Sequence, residues 1–137
     1  MSKERKHLSL ACFIRADGVA LPPFLVFSAT GNKARDEWLS RVDKAVSASA
    51  SESGYVDERI FGQVIDHFIA WLKAQNVPPP YLLILDGCSS HVSSVATLRK
   101  LIDAQVHALT MPTHTSSVLQ PLDVGIFAPF KAFLRKA

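Results

Sequence analysis

The hydrophobic pattern of this chain changes period several times, and each change marks a predicted element. Residues 7–15 (HLSLACFIR) are apolar and β-prone with partial alternation, which predicts a strand. Ala16-Asp17-Gly18-Val19 supplies a turn, and residues 21–27 (LPPFLVF) predict a second strand, so the pair reads as a hairpin. Pro22 and Pro23 cannot donate to a ladder and belong at the start of that strand or on an edge. The next stretch, residues 28–53, is less regular. Gly31-Asn32 breaks the chain, Trp38 and Leu39 anchor a short turn, and residues 47–54 (SASASESG) predict a surface loop.

Residues 57–75 form the clearest helical pattern. Asp57 suits the N-cap and Glu58 the first turn. Ile60, Phe61, Val64, Ile65, Phe68, Ile69 and Leu72 recur at helical spacing. His67 and Trp71 lie on or beside that face and read as packing residues. Pro78-Pro79-Pro80 stops the helix. The continuous apolar run Tyr81–Leu85 predicts a strand buried on both faces and central in a sheet. Residues 93–104 predict a second helix through Val95, Leu98, Leu101 and Ile102. Residues 106–111 predict another strand, and residues 113–120 a polar loop. A final amphipathic helix over 122–136 turns Ile126, Phe127, Phe130, Phe133 and Leu134 inward, with Pro121 in its first turn. Strands alternating with helices make an α/β layout.

Composition narrows the class. With 137 residues, 48% hydrophobic and 20% charged, the chain reads as one ordinary soluble domain rather than a disordered one. Its apolar runs are too short to span a bilayer, so no membrane role is expected. No signal-type apolar core follows the N-terminus, which predicts an intracellular protein. Cys12 and Cys88 have no motif spacing, so neither a disulfide framework nor a zinc site is expected. Net charge is +3. From Arg99 onward there are five basic residues (Arg99, Lys100, Lys131, Arg135, Lys136) against two acids (Asp103, Asp123). That segment either lies along a polyanion or is a solvated helix face.

Two aspartates are the leading chemical candidates. Asp86 ends the apolar strand, at the carboxyl edge where ligands bind in open α/β sheets. A turn aspartate before Gly87 is the structural alternative. Asp123 sits where the last helix begins, a place the helix dipole favours for any carboxylate. Together at one end of a sheet the two would repel unless a cation lay between them, which points to a shared divalent metal and phosphodiester chemistry. His91 could touch a phosphate or bond a backbone carbonyl. His114 lies in the polar loop near Asp123 and lines the same cleft in this reading. Other motifs fail. Cys88-Ser89-Ser90-His91 lacks the turn of a nucleophile elbow. There is no glycine-rich phosphate loop. A dehalogenase-type phosphatase would need a second aspartate where Cys88 stands.

The block Leu83-Ile84-Leu85-Asp86-Gly87-Cys88-Ser89-Ser90-His91 resembles the second-aspartate block of DDE superfamily transposases, in the pogo/Tigger and centromere-protein-B-like branch of Tc1/mariner. Residues 111–127, with Gln120-Pro121-Leu122-Asp123, resemble the third-acid block of that family. Ala16-Asp17-Gly18 with Leu21-Pro22-Pro23 resembles its early hairpin. The resemblance implies a ribonuclease-H-like mixed sheet flanked by helices, two Mg²⁺ or Mn²⁺ ions, DNA strand cleavage and transfer, and no small-molecule cofactor. It makes Asp86 and Asp123 metal ligands, with His91, His114 and Gln120 around the cleft. Lys131, Arg135 and Lys136 would meet DNA phosphates. A nuclear location follows from the DNA substrate.

The family's first catalytic aspartate lies on a strand preceding the hairpin, and no counterpart of it is present. The expectation is therefore a partial catalytic domain over residues 1–137 that lacks the first, central strand. Such a chain should be less stable than its composition suggests, or form a homo-oligomer through unpaired edges. Its activity stands open between an endonuclease with an incomplete metal triad and a catalytically dead remnant. That remnant would bind nucleic acid through phosphates, or a protein partner through a sheet edge.

Overall fold

A computed structural model describes residues 7–31, 33–86, 94–112 and 116–136, with two side chains, Ser116 and Ser117, excepted. The chain divides into two compact units, Met1–Val77 and Pro78–Ala137. The fold is mixed α/β and compatible with a ribonuclease-H-like fragment.

In the first unit, β1 (Leu8–Ala11) and β2 (Phe24–Ser28) pair antiparallel, with Leu8 opposite Phe27 and Ala11 opposite Phe24. The predicted hairpin is present, and β2 starts just after Pro22-Pro23, where the missing N–H groups cost nothing. Its turn closes through Gly18 N–H to Arg15 C=O and Arg15 N–H to Val19 C=O. Gly18 takes φ +89°, a conformation that glycine adopts readily. Next, α1 (Asp36–Leu39) is a single turn whose Trp38 ring meets Phe27 at 4.9 Å.

The predicted surface loop at 47–54 is instead largely a strand. β3 (Ser47–Ser51) runs parallel to β2, with Val26 opposite Ser49. Ser49, Ala50 and Ser51 are buried. Alternating Ser and Ala look like loop composition because they carry little hydrophobic signal. What makes them a strand is the neighbouring β2 ladder and the helix that clasps them. That helix, α2 (Glu58–Ala74), is capped by Asp57, whose carboxylate accepts from Ile60 N–H at 2.7 Å. Arg59 donates to Ala50 C=O at 2.8 Å and approaches Ser49 Oγ at 3.4 Å. His67 bridges Ser47 Oγ (2.9 Å) and Pro22 C=O (2.7 Å), and its ring meets Phe24 edge-on. These bonds make His67 a clamp between α2 and the starts of β2 and β3, the packing role its position suggested.

Phe24, Val26, Ile60 and Val64 form the buried centre of this unit, with Ala11, Phe13 and Val56 against it. Gly54 closes the far end. It has φ +73°, and a Cβ there would stand 2.7 Å from His7 C=O and 3.0 Å from Ser28 Cβ. Gly54→Ala combines a backbone clash with a disfavoured φ, and should destabilise by about 1–3 kcal/mol in urea unfolding. A change below about 0.5 kcal/mol would mean that the close approach of His7 is not held in solution.

In the second unit, β4 (Tyr81–Leu85) and β5 (Val106–Thr110) pair in parallel, with Tyr81 opposite Val106 and Leu85 opposite Thr110. α3 (Val95–Asp103) connects them and packs on β5. Here two expectations are corrected and one is met. β4 is neither central nor buried on both faces: among the described residues its one partner is β5, and Leu82 (65%) and Ile84 (53%) are exposed. The helix predicted over 93–104 is present as α3, with Leu101 and Thr97 buried and Val95, Leu98 and Ile102 exposed. The polar loop expected over 113–120 contains a helical turn, α4 (Ser116–Leu119).

The last helix departs most. Leu122–Ile126 is a π turn, and α5 (Phe127–Lys136) continues from it. Of the five apolar residues expected inward, Ile126, Phe130, Phe133 and Leu134 are exposed and Phe127 is half-buried. Periodicity shows that a helix has an apolar stripe. Whether anything covers that stripe depends on tertiary neighbours.

Candidate functional site

β4 and β5 leave their sheet at the same edge. Leu85 pairs with Thr110, and Met111 N–H donates to Leu85 C=O at 2.9 Å. Asp86 is the first residue beyond β4 at this carboxyl edge, where parallel strands present ligand-binding groups. The segment that leaves β5 at the same edge runs on through α4 to Gln120, Pro121 and Asp123. Topology thus starts both acid-bearing segments from one sheet edge of one unit.

Both carboxylates are exposed. Neither carboxylate takes a hydrogen bond or ion pair from another described residue, unlike Asp17, Glu37 and Asp57, which pair with Arg15, Arg35 and Arg59. Asp123 lies inside the π turn, where Phe127 N–H donates to Leu122 C=O, five residues back. Such turns are rare in helices and concentrate at functional sites. Sequence reasoning missed it, although a signal was available: Pro129 stands inside the helical pattern, four residues after Gly125.

Gln120 is half-buried just ahead of Asp123. Its backbone carbonyl accepts from Asp123 N–H (3.1 Å) and Val124 N–H (3.0 Å), which anchors the turn. Its side-chain Oε1 is buried without a partner among the described residues. Lys131, Arg135 and Lys136 are exposed on α5. His91 and His114 lie outside the described residues, as does Cys88. Burial of Cys12 pushes its thiol pKa up, which keeps it protonated and makes it a poor nucleophile or metal ligand.

A family model for the DDE superfamily endonucleases matches residues 4–137. The chain belongs to the DDE superfamily of endonucleases. The chain is also 32% identical over 130 residues to a Cochliobolus lunatus protein named MFS-type transporter clz9. That match covers 94% of this chain but 14% of the relative, so the chain spans about one seventh of the relative's length. No solved structure matches. No helix among the described residues is long and apolar enough to cross a membrane.

DDE-superfamily endonucleases act on DNA and use divalent metal ions. The donor chemistry here suits such an ion. Mg²⁺ and Mn²⁺ take hard oxygen ligands, and Mg²⁺ typically binds one or two protein carboxylates, the rest being water and phosphate. Asp86 and Asp123 are exposed carboxylates of that hard-oxygen kind and are not engaged by other described residues. No group of three His, Cys, Asp or Glu that could hold an ion occurs among the described residues.

Proposed function

We propose that this chain is a DNA-cleaving catalytic domain of the pogo/Tigger branch, in which Asp86 and Asp123 hold Mg²⁺ or Mn²⁺ and α5 meets the DNA backbone. The observation that carries the reading is the superfamily match over residues 4–137, combined with Asp86 at the carboxyl edge of β4. A bound divalent ion would activate the attacking water or 3′-hydroxyl and stabilise the leaving oxygen. The chain's own part is positional. β4 delivers Asp86 to the sheet edge, and the π turn presents Asp123. Lys131, Arg135 and Lys136 are free to neutralise phosphates on either side of the scissile bond.

The working location is the nucleus, where the DNA substrate lies, and the active species is a homo-oligomer. Exposed apolar residues on β4 and α5 support self-association.

The first test is nicking of supercoiled DNA by the purified chain. Nicked product with Mn²⁺ and none with a chelator is expected; no nicking by folded protein would overturn the catalytic reading. A second reading, a non-catalytic DNA-binding module, is favoured by the two-carboxylate donor set, one short of a triad among the described residues. Both readings share the phosphate contacts. Replacing Lys131, Arg135 and Lys136 by Gln should reduce the slope of log affinity against log salt on duplex DNA. The reduction should be about 0.9 for each phosphate that is no longer neutralised. An unchanged slope would remove α5 from the interface.

A further inference from the structure

The helical stretch from Pro121 to Lys136 is continuous but not uniform. Val124 N–H bonds four residues back to Gln120 C=O, as in an α-helix. Three residues later Phe127 N–H bonds five back, to Leu122 C=O. An α ladder would next require the N–H of residue 129 to reach Gly125 C=O. Pro129 has no N–H, and its ring would collide with that carbonyl. The turn that carries Gly125 is the turn that widens. Gly125 itself is not the cause on steric grounds, since its φ is unremarkable and a Cβ there would meet nothing within 4 Å.

We infer that Pro129 is a positioning residue for Asp123: by forbidding the α ladder at Gly125 it maintains the π turn, and the turn aligns Asp123 with Lys131 and Arg135. An α-helix advances about 100° per residue, and a π turn accommodates one extra residue. It therefore rotates the residues before it by about 100° relative to the residues after it. In an unbroken α-helix Lys131 and Arg135 would stand about 80° and 120° around from Asp123. Asp123 is the second residue of the π turn, so most of that rotation falls between it and α5, and Lys131 and Arg135 come within about 50° of it. One face then carries the carboxylate and, beyond it, two cations a helical turn apart. A metal ligand and its flanking phosphate contacts need to face one duplex, and this alignment provides that.

The inference rests on the proposed role of Asp123, and the experiment separates the two. Pro129→Ala restores the missing N–H. Expected results are a higher melting temperature, since an interior helix proline is removed, and NMR contacts over residues 122–129 that change from a π to an α pattern. Mn²⁺ affinity, measured by titration without DNA, should fall about 10-fold or more. A merely structural proline would give the first change without the loss of affinity. Gly125→Ala adds helix propensity but leaves residue 129 without an N–H, so it should keep both the π pattern and the affinity. Asp123→Asn sets the floor for Mn²⁺ binding.

A Pro129→Ala chain that keeps the π pattern overturns the inference whatever the metal does. One that becomes α-helical with unchanged Mn²⁺ affinity, while Asp123→Asn weakens binding, also overturns it and leaves the proposed function standing. If Asp123→Asn binds Mn²⁺ like the parent, the metal role of Asp123 is wrong and the positioning claim falls with it.

Discussion

Asp86→Asn and Asp123→Asn should each abolish Mn²⁺-dependent nicking of supercoiled DNA while leaving the melting temperature unchanged. Asparagine matches aspartate in size but carries no charge, so it is a poor partner for a hard cation. Loss of an outer-shell partner already costs roughly 10- to 100-fold at metal sites, and loss of a direct ligand should exceed that. The stability half of the expectation comes from the structure. Both side chains are exposed and take no hydrogen bond or ion pair from another described residue. Surface substitutions of that kind usually stay within about 0.5 kcal/mol. Activity and stability should therefore separate cleanly. Nicking that survives both substitutions would place the chemistry elsewhere and sink the proposed site. Loss of nicking together with a lowered melting temperature would point to folding roles for the two acids instead.

Ile60→Ala should cost about 2–5 kcal/mol, a large part of the roughly 5–15 kcal/mol that holds a typical domain together. Ile60 is fully buried at the centre of the cluster made with Phe24, Val26 and Val64. Two of those residues belong to β2, the strand paired with both β1 and β3. A cavity at Ile60 therefore loosens the contact between α2 and the middle of the three-stranded sheet. Chemical denaturation should show a lower midpoint, and Val95→Ala, at an exposed position of α3, should not. A cost below about 1 kcal/mol for Ile60→Ala would mean that α2 does not seal this sheet in solution.

The second unit presents a different physical picture. Leu82 and Ile84 on β4, Leu109 on β5, and Phe130, Phe133 and Leu134 on α5 are all exposed. That is more apolar surface than isolated exposed residues explain. It motivates the proposed self-association, which sedimentation at two concentrations would reveal as a concentration-dependent mass.

Much of this protein is legible in its sequence because the deciding forces are local. The Asp-Gly turn and flanking prolines determine the hairpin. The spacing of Ile60, Val64, Phe68 and Leu72 determines α2, and Asp57 sets where it begins. The short apolar run Tyr81–Leu85, bounded by Pro80 and Gly87, reads as a strand on its length and flanking residues. The Gln-Pro-Leu-Asp block and the apolar run ending in Asp86 carry the resemblance to the superfamily whose model matches residues 4–137. Tertiary structure decided the features that depend on neighbours distant in sequence. Ser47–Ser51 became a strand because β2 offers a ladder and Arg59 and His67 hold its backbone and hydroxyls. β4 and α5 kept an apolar face exposed because periodicity records which side is hydrophobic, not whether another element covers it. The π turn at Asp123 lies between these cases: Pro129 is plain in the sequence, but the missing bond can be met by a kink, a break or a wider turn. The folded chain takes the wider turn, and with it the direction in which Asp123 is presented.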